Sequence, residues 1–132
     1  MRPLVLIAED EPNIVESLTF LVERAGFAVV SVKDGATALQ SIQNLRPALV
    51  VLDVMLPTVN GFEVLQAVKG TPDLKDIPIL VLTARGQEVD RQRAESLGAD
   101  AFITKPFSNR DVVQRVCELS GGAPEPERGD AR

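Results

Sequence analysis

Five short apolar runs punctuate the chain, at residues 4–8, 28–32, 48–52, 79–82 and 101–104. Within each run the residues are apolar almost without a break, where a half-exposed strand would alternate. That is how strands covered on both faces by helices read, so the pattern predicts a parallel sheet. Between the runs the apolar positions change to helical spacing. Ile14, Leu18, Leu21, Val22 and Ala25 share one helical face, as do Ala38, Leu39, Ile42 and Leu45, and later Val112, Val113, Val116 and Leu119.

Punctuation agrees with these boundaries. Pro12 suits the first turn of a helix and Gly26 its end, while Asp34 and Asn60 are side chains that can cap helices two and three. Ser108 followed by Asp111 makes a capping-box-like start for helix five. The fourth helical segment, 87–97, offers only Val89, Ala94 and Leu97 as apolar anchors and is expected to be loosely held. From residue 120 the chain reads SGGAPEPERGDAR, with no large apolar residue, which predicts a flexible tail at 120–132 after one domain at 1–119. Strands alternating with helices and joined by right-handed crossovers form an α/β fold, a doubly wound (βα)5 parallel sheet in the flavodoxin-like order 2-1-3-4-5.

Composition narrows the chemistry. No apolar stretch approaches the roughly 20 residues that span a bilayer, and the N-terminus MRPLVLIAED lacks the apolar core and cleavage site of a secretory signal. A cytoplasmic location with no membrane association is the expectation. The single cysteine, Cys117, cannot form an internal disulfide and is expected to be a small buried hydrophobe on the apolar side of helix five. With no histidine, a zinc site of the usual ligands is excluded, so any metal must be held by oxygen. The net charge of −5 and the lack of a Lys/Arg cluster argue against nucleic-acid binding by this chain.

In such sheets the functional crevice lies beyond the carboxyl ends of the strands. Strand one ends in Glu9, Asp10 and Glu11, strand three at Asp53, strand four at Thr83 and Ala84, and strand five at Lys105 and Pro106. Any one of these charges could be a solvated strand end. Together they put three acids, a hydroxyl and an amine on one rim. Clustered carboxylates without softer ligands suit Mg2+, with Glu9 and Asp10 as the metal-binding pair and Asp53 the third acid. A carboxylate can attack phosphorus to give an acyl phosphate, while a metal ion, an amine and a hydroxyl each take one phosphoryl oxygen. Ala84, being small, leaves the site accessible.

The set Glu9-Asp10, Asp53, Thr83-Ala84 and Lys105-Pro106, with LDVMLPTVNG and GADAFITKPF around it, resembles the receiver domain of bacterial two-component response regulators over about residues 3–119. The resemblance implies a phosphoacceptor signalling switch and not a conventional enzyme. Asp53 would receive a phosphoryl group from a sensor histidine kinase or phosphotransfer protein. Asp10, Asp53 and the Met55 backbone carbonyl would bind Mg2+, with Glu9 acting largely through a coordinated water. It further implies that Lys105 contacts the phosphoryl group, that Thr83 and Phe102 are the switch residues, and that the Lys105–Pro106 peptide is cis. Pro57 and Gly61 would shape the loop after Asp53, with Gly61 supplying a positive φ. Output to a downstream protein or effector domain would pass through helix 4, strand 5 and helix 5, where Phe102 meets the start of helix 4. Met55 and Arg85 occupy positions that tune phosphoryl lifetime in this family.

Many DNA-binding relatives carry two acids after Gly-Ala in the strand-five motif; here only Asp100 is acidic. A homodimer through that face stays open, with Asp100 and Arg91, Arg93, Arg110 and Arg115 as candidate partners. Two rivals stand beside the switch. A receiver-like docking module that is never phosphorylated would share the fold. A Mg-dependent aspartyl-phosphate phosphatase needs a second acid two residues after its nucleophile, where this chain has Met55.

Overall fold

The structure is a computed structural model that describes residues 2–84 and 88–121. Arg85, Gln87 and all of the expected tail beyond Gly121 lie outside the described residues. Five strands and five helices alternate: β1 (Leu4–Ala8), α1 (Pro12–Arg24), β2 (Ala28–Val32), α2 (Gly35–Leu45), β3 (Leu49–Asp53), α3 (Gly61–Lys69), β4 (Ile79–Ala84), α4 (Glu88–Ser96), β5 (Ala101–Lys105) and α5 (Asn109–Leu119). The strands form one parallel sheet in the order β2-β1-β3-β4-β5.

The sheet separates two apolar layers. Leu6, Val50, Leu52, Ile79 and Val81 point to one side, where they meet Ala38 and Ile42 of α2 and Val64, Leu65 and Val68 of α3. Val5, Ile7, Leu49, Val51, Leu80 and Leu82 point to the other, against Leu18, Leu21 and Val22 of α1 and Val112 and Val116 of α5. Every residue of β3 is buried, which accounts for its unbroken apolar run before Asp53. Phe27, just before β2, is fully buried in the α1 and α5 layer.

The caps form as expected. Asp34 accepts a hydrogen bond from the Thr37 amide at 2.8 Å, Asn60 and Glu63 make a reciprocal capping box, and Ser108 accepts from the Asp111 amide at 3.0 Å. Gly26 closes α1 with a φ of 105°. Three expectations about apolar side chains need correction. Leu45 is 46% exposed, because it falls in the last turn of α2, beyond the reach of the sheet. Val89 is 74% exposed and anchors nothing; Ala94 is the buried residue of α4, with Leu97 packed partly against the same layer. Cys117 is half-buried at the edge of the α1 and α5 layer, where burial and then the neighbouring Glu118 charge raise its pKa.

Gly61 is needed for a different reason from the one expected. Its φ is not positive; instead its Cα lies so close to the Asp53 carbonyl oxygen and the Val54 Cα that a Cβ could not fit. The left-handed residue of this loop is Thr58, with φ 66°.

Candidate functional site

The rim beyond the strand ends brings the anticipated groups together. β1 hands the chain to Glu9, whose amide donates to the Val32 carbonyl at 3.1 Å and so continues the pairing with β2 for one residue. That step buries the Glu9 side chain completely and leaves Asp10 exposed. β3 delivers Asp53, itself buried, in register with Leu82 of β4, so that Thr83 is one residue farther along the neighbouring strand end. Thr83 is buried and pairs with Thr104, and exposed Ala84 with Lys105, the last residue of β5. The Lys105–Pro106 peptide is cis, as expected.

Lys105 ties the acids together. Its ammonium lies 3.2 Å from Asp53 Oδ2 and 3.0 Å from Glu9 Oε1. Burial works against this ammonium, but the hydrogen bonds and charges of Glu9 and Asp53 outweigh burial and raise its pKa. The Glu9 carboxyl is pushed above its usual range, first by burial and then by the Asp53 charge, with Lys105 opposing both. The other oxygens are held by backbone: the Glu11 amide donates to Glu9 Oε2 and the Met55 amide to Asp53 Oδ1, each at 3.0 Å. The Met55 side chain is 70% exposed, so its backbone, and not its thioether, faces this chemistry.

One carboxylate oxygen from each of Glu9, Asp10 and Asp53 lies within 4.8 Å of the others. Glu9 Oε1 is buried and faces the Lys105 ammonium at 3.0 Å. Three close carboxylates against one ammonium leave negative charge in excess, and the donors are all hard oxygens. The residues therefore fit a small divalent cation such as Mg2+.

Phe102 is set apart from the cluster. It lies beside Val81 on β5 and packs partly against the α2 and α3 layer. The Arg91 guanidinium of α4 sits 5.0 Å from its ring centroid, so the ring does meet α4. Beside it, an open groove of about 270 Å³ runs between β5 and α5, lined by Thr104, Pro106, Phe107, Asp111 and Arg115 among others. Asp100 is committed within the molecule, accepting from Lys69 Nζ at 2.9 Å and from the Ile79 amide at 2.8 Å. Asp34, which the sequence pointed to only as a helix cap, accepts a hydrogen bond at 3.4 Å from the hydroxyl of Thr58, a residue of the loop after Asp53 that the sequence did not single out.

This fold and this rim define a class. The profile of the response regulator receiver domain matches residues 5–117. The chain belongs to the response regulator receiver domain family of two-component signalling. It is 41% identical over 116 residues to the alkaline phosphatase synthesis transcriptional regulatory protein PhoP of Bacillus subtilis, a match covering 88% of this chain and 48% of that one. It is 40% identical over 116 residues to the phosphate regulon transcriptional regulatory protein PhoB of Escherichia coli, covering 88% and 51%. The chain thus spans about half the length of these curated relatives. Among solved structures, the signal receiver domain of a signal transduction histidine kinase from Syntrophus aciditrophicus superposes with a TM-score of 0.84 at 33% identity, covering 96% of each chain.

Proposed function

We propose that the chain is a Mg2+-dependent phosphoacceptor switch in which Asp53 receives a phosphoryl group from a histidine kinase or phosphotransfer partner. The observation that carries this reading is the meeting of Glu9, Asp10 and Asp53 within 4.8 Å, with Lys105 bridging two of them.

An Asp53 carboxylate oxygen forms a bond to phosphorus as the bond from phosphorus to the donor's imidazole nitrogen breaks. The imidazole leaves with the electron pair and takes up a proton, and the product is an acyl phosphate. Glu9, Asp10, Asp53 and the Met55 carbonyl are the groups that would hold the ion, Glu9 largely through water. A bound Mg2+ supplies positive charge to a phosphoryl oxygen as it transfers. Lys105 supplies a second fixed charge beside Asp53. Thr83 lies one residue beyond the position paired with Asp53 and supplies a hydroxyl. The chain promotes its own modification and is not a conventional enzyme.

When Thr83 moves toward the phosphoryl group, it vacates space behind β4. Phe102 turns toward that space and away from Arg91, which alters the surface of α4, β5 and α5 that a downstream protein or effector domain reads. The acidic composition supports a partner that is protein and not nucleic acid for this chain, and the setting that goes with this reading is cytoplasmic. Pairing of two copies through the same face would set Asp100 against Arg91, Arg93, Arg110 or Arg115, in competition with the Lys69 ammonium that Asp100 engages within the molecule. Residues 1–119 are the receiver and 120–132 a tail.

The test is incubation with a small phosphodonor, or with beryllofluoride, with and without Mg2+, for wild type and Asp53→Asn. Incorporation that needs both Asp53 and Mg2+ is expected. Equal incorporation in the variant would remove Asp53 as acceptor, and none in either would favour a docking module that is never phosphorylated.

A further inference from the structure

The loop from Val54 to Asn60 carries the Met55 backbone, and the structure bolts it to a helix from another part of the chain. The Pro57 carbonyl accepts from the Gly35 amide at 3.1 Å. The Thr58 hydroxyl accepts from the Ala36 amide at 3.3 Å and donates to Asp34 Oδ1 at 3.4 Å. The same Asp34 carboxylate caps α2 through the Thr37 amide and the Thr37 hydroxyl. Gly35 packs directly on the Val59 carbonyl, with no room for a Cβ between them. At its other end the loop closes on itself, the Gly61 amide donating to the Val54 carbonyl at 3.0 Å.

Thr58 holds a conformation that disfavours it. A β-branched residue at φ 66° is strained, and glycine would suit that position better. A threonine there is explicable by what its hydroxyl does, since it joins two groups of the α2 N-terminus to the loop. The loop's other duty is to aim the Met55 peptide, whose amide already holds Asp53 Oδ1.

We propose that Thr58 and Asp34 are positioning residues that brace the loop after Asp53 against α2 and thereby hold the Met55 carbonyl in place as an ion ligand. This rests on the metal site proposed above. Without the brace the loop would sample orientations of the Met55 peptide that do not face the acids, and the ordering cost would fall on ion binding. Neither residue touches the ion, so both act through backbone geometry.

Mg2+ titration by calorimetry, with urea unfolding and amide hydrogen exchange of residues 54–59 in parallel, tests the brace on Thr58→Val, Thr58→Ser and Thr58→Gly. Thr58→Val is expected to weaken Mg2+ binding about tenfold, at the low end for losing an outer partner of a metal ligand. Its exchange at residues 54–59 should quicken, and Thr58→Ser should restore both. Thr58→Gly relieves the positive φ while deleting the hydroxyl. It should therefore keep the urea midpoint and still bind Mg2+ more weakly, a split that a purely structural role would not produce. Wild-type affinity in both the valine and glycine variants overturns the brace, as does a loss that serine fails to restore. Absence of Mg2+ binding by the wild-type chain would instead overturn the metal site itself, and the brace with it.

Discussion

At Gly61 the constraint is space. Adding a methyl group there drives it into the Asp53 carbonyl oxygen and the Val54 Cα, both backbone atoms that cannot rotate away. Gly61→Ala is expected to cost about 1–3 kcal/mol, the usual range for overpacking, read as a lower urea midpoint. A glycine between a strand and a helix announces itself in a sequence, but whether it serves φ or close approach depends on what packs against it. Asp34 is the residue whose charge state reports on the loop. Its carboxyl sits below the usual aspartate range, chiefly because the Thr37 amide donates to it, with the hydroxyls of Thr37 and Thr58 adding to this. A depressed folded-state pKa adds stability that is present above the unfolded value and is lost as pH falls through the folded value. The advantage of wild type over Asp34→Asn should therefore hold at neutral pH and shrink below about pH 4. Urea midpoints of the two chains at pH 7, 4 and 3 check this.

Among the elements, α4 is held differently from the rest. Its single buried side chain is Ala94, and its other grips are guanidinium groups over aromatic rings: Arg93 lies 4.2 Å from the Phe62 centroid on α3 and Arg91 5.0 Å from Phe102 on β5. Each such stack contributes about 0.5–1 kcal/mol where exposed, so the helix is attached by contacts that two discrete arrangements can share. Arg93→Gln should lower stability by about that amount, and amide exchange should show α4 opening before α3 in wild type and sooner still in the variant. The weak apolar pattern at 88–97 was legible in the sequence and so was the loose anchoring it implied. The stacks were not, because arginine on a polar face reads as a solvated charge until the tertiary partner is known. The Lys69 and Asp100 pair was hidden for the same reason: 31 residues separate the two, and Lys69 also donates to the Lys75 and Ile77 carbonyls, knitting the end of α3 to the entrance of β4.

For the molecule as a whole, the order of strands and the rim they build could be read from five apolar runs and their terminal residues, since burial on both faces leaves a parallel strand few ways to look. The boundaries of β1 and β2 coincide with the runs, whereas β4 and β5 extend to Ala84 and Lys105 because Thr83 and Ala84 still pair with Thr104 and Lys105 past the last large apolar residue. What could not be read is the loop after Asp53, whose shape depends on α2 across the fold. An ion that binds only the folded chain stabilises it by mass action, by about 2.7 kcal/mol when free Mg2+ is a hundredfold above its dissociation constant. Thermal unfolding should therefore shift upward by several degrees in saturating Mg2+, and by much less in Asp53→Asn. The sheet that divides the core into two layers has a further consequence. Phe102 packs with the α2 and α3 layer, while the C-terminal half of α1 rests wholly on the opposite one. A rearrangement at Thr83 and Phe102 should perturb the amide shifts of α4 strongly and those of residues 18–24 hardly at all. Residues 18–24 would then serve as a silent reference within the same chain, against which the change at α4 is read.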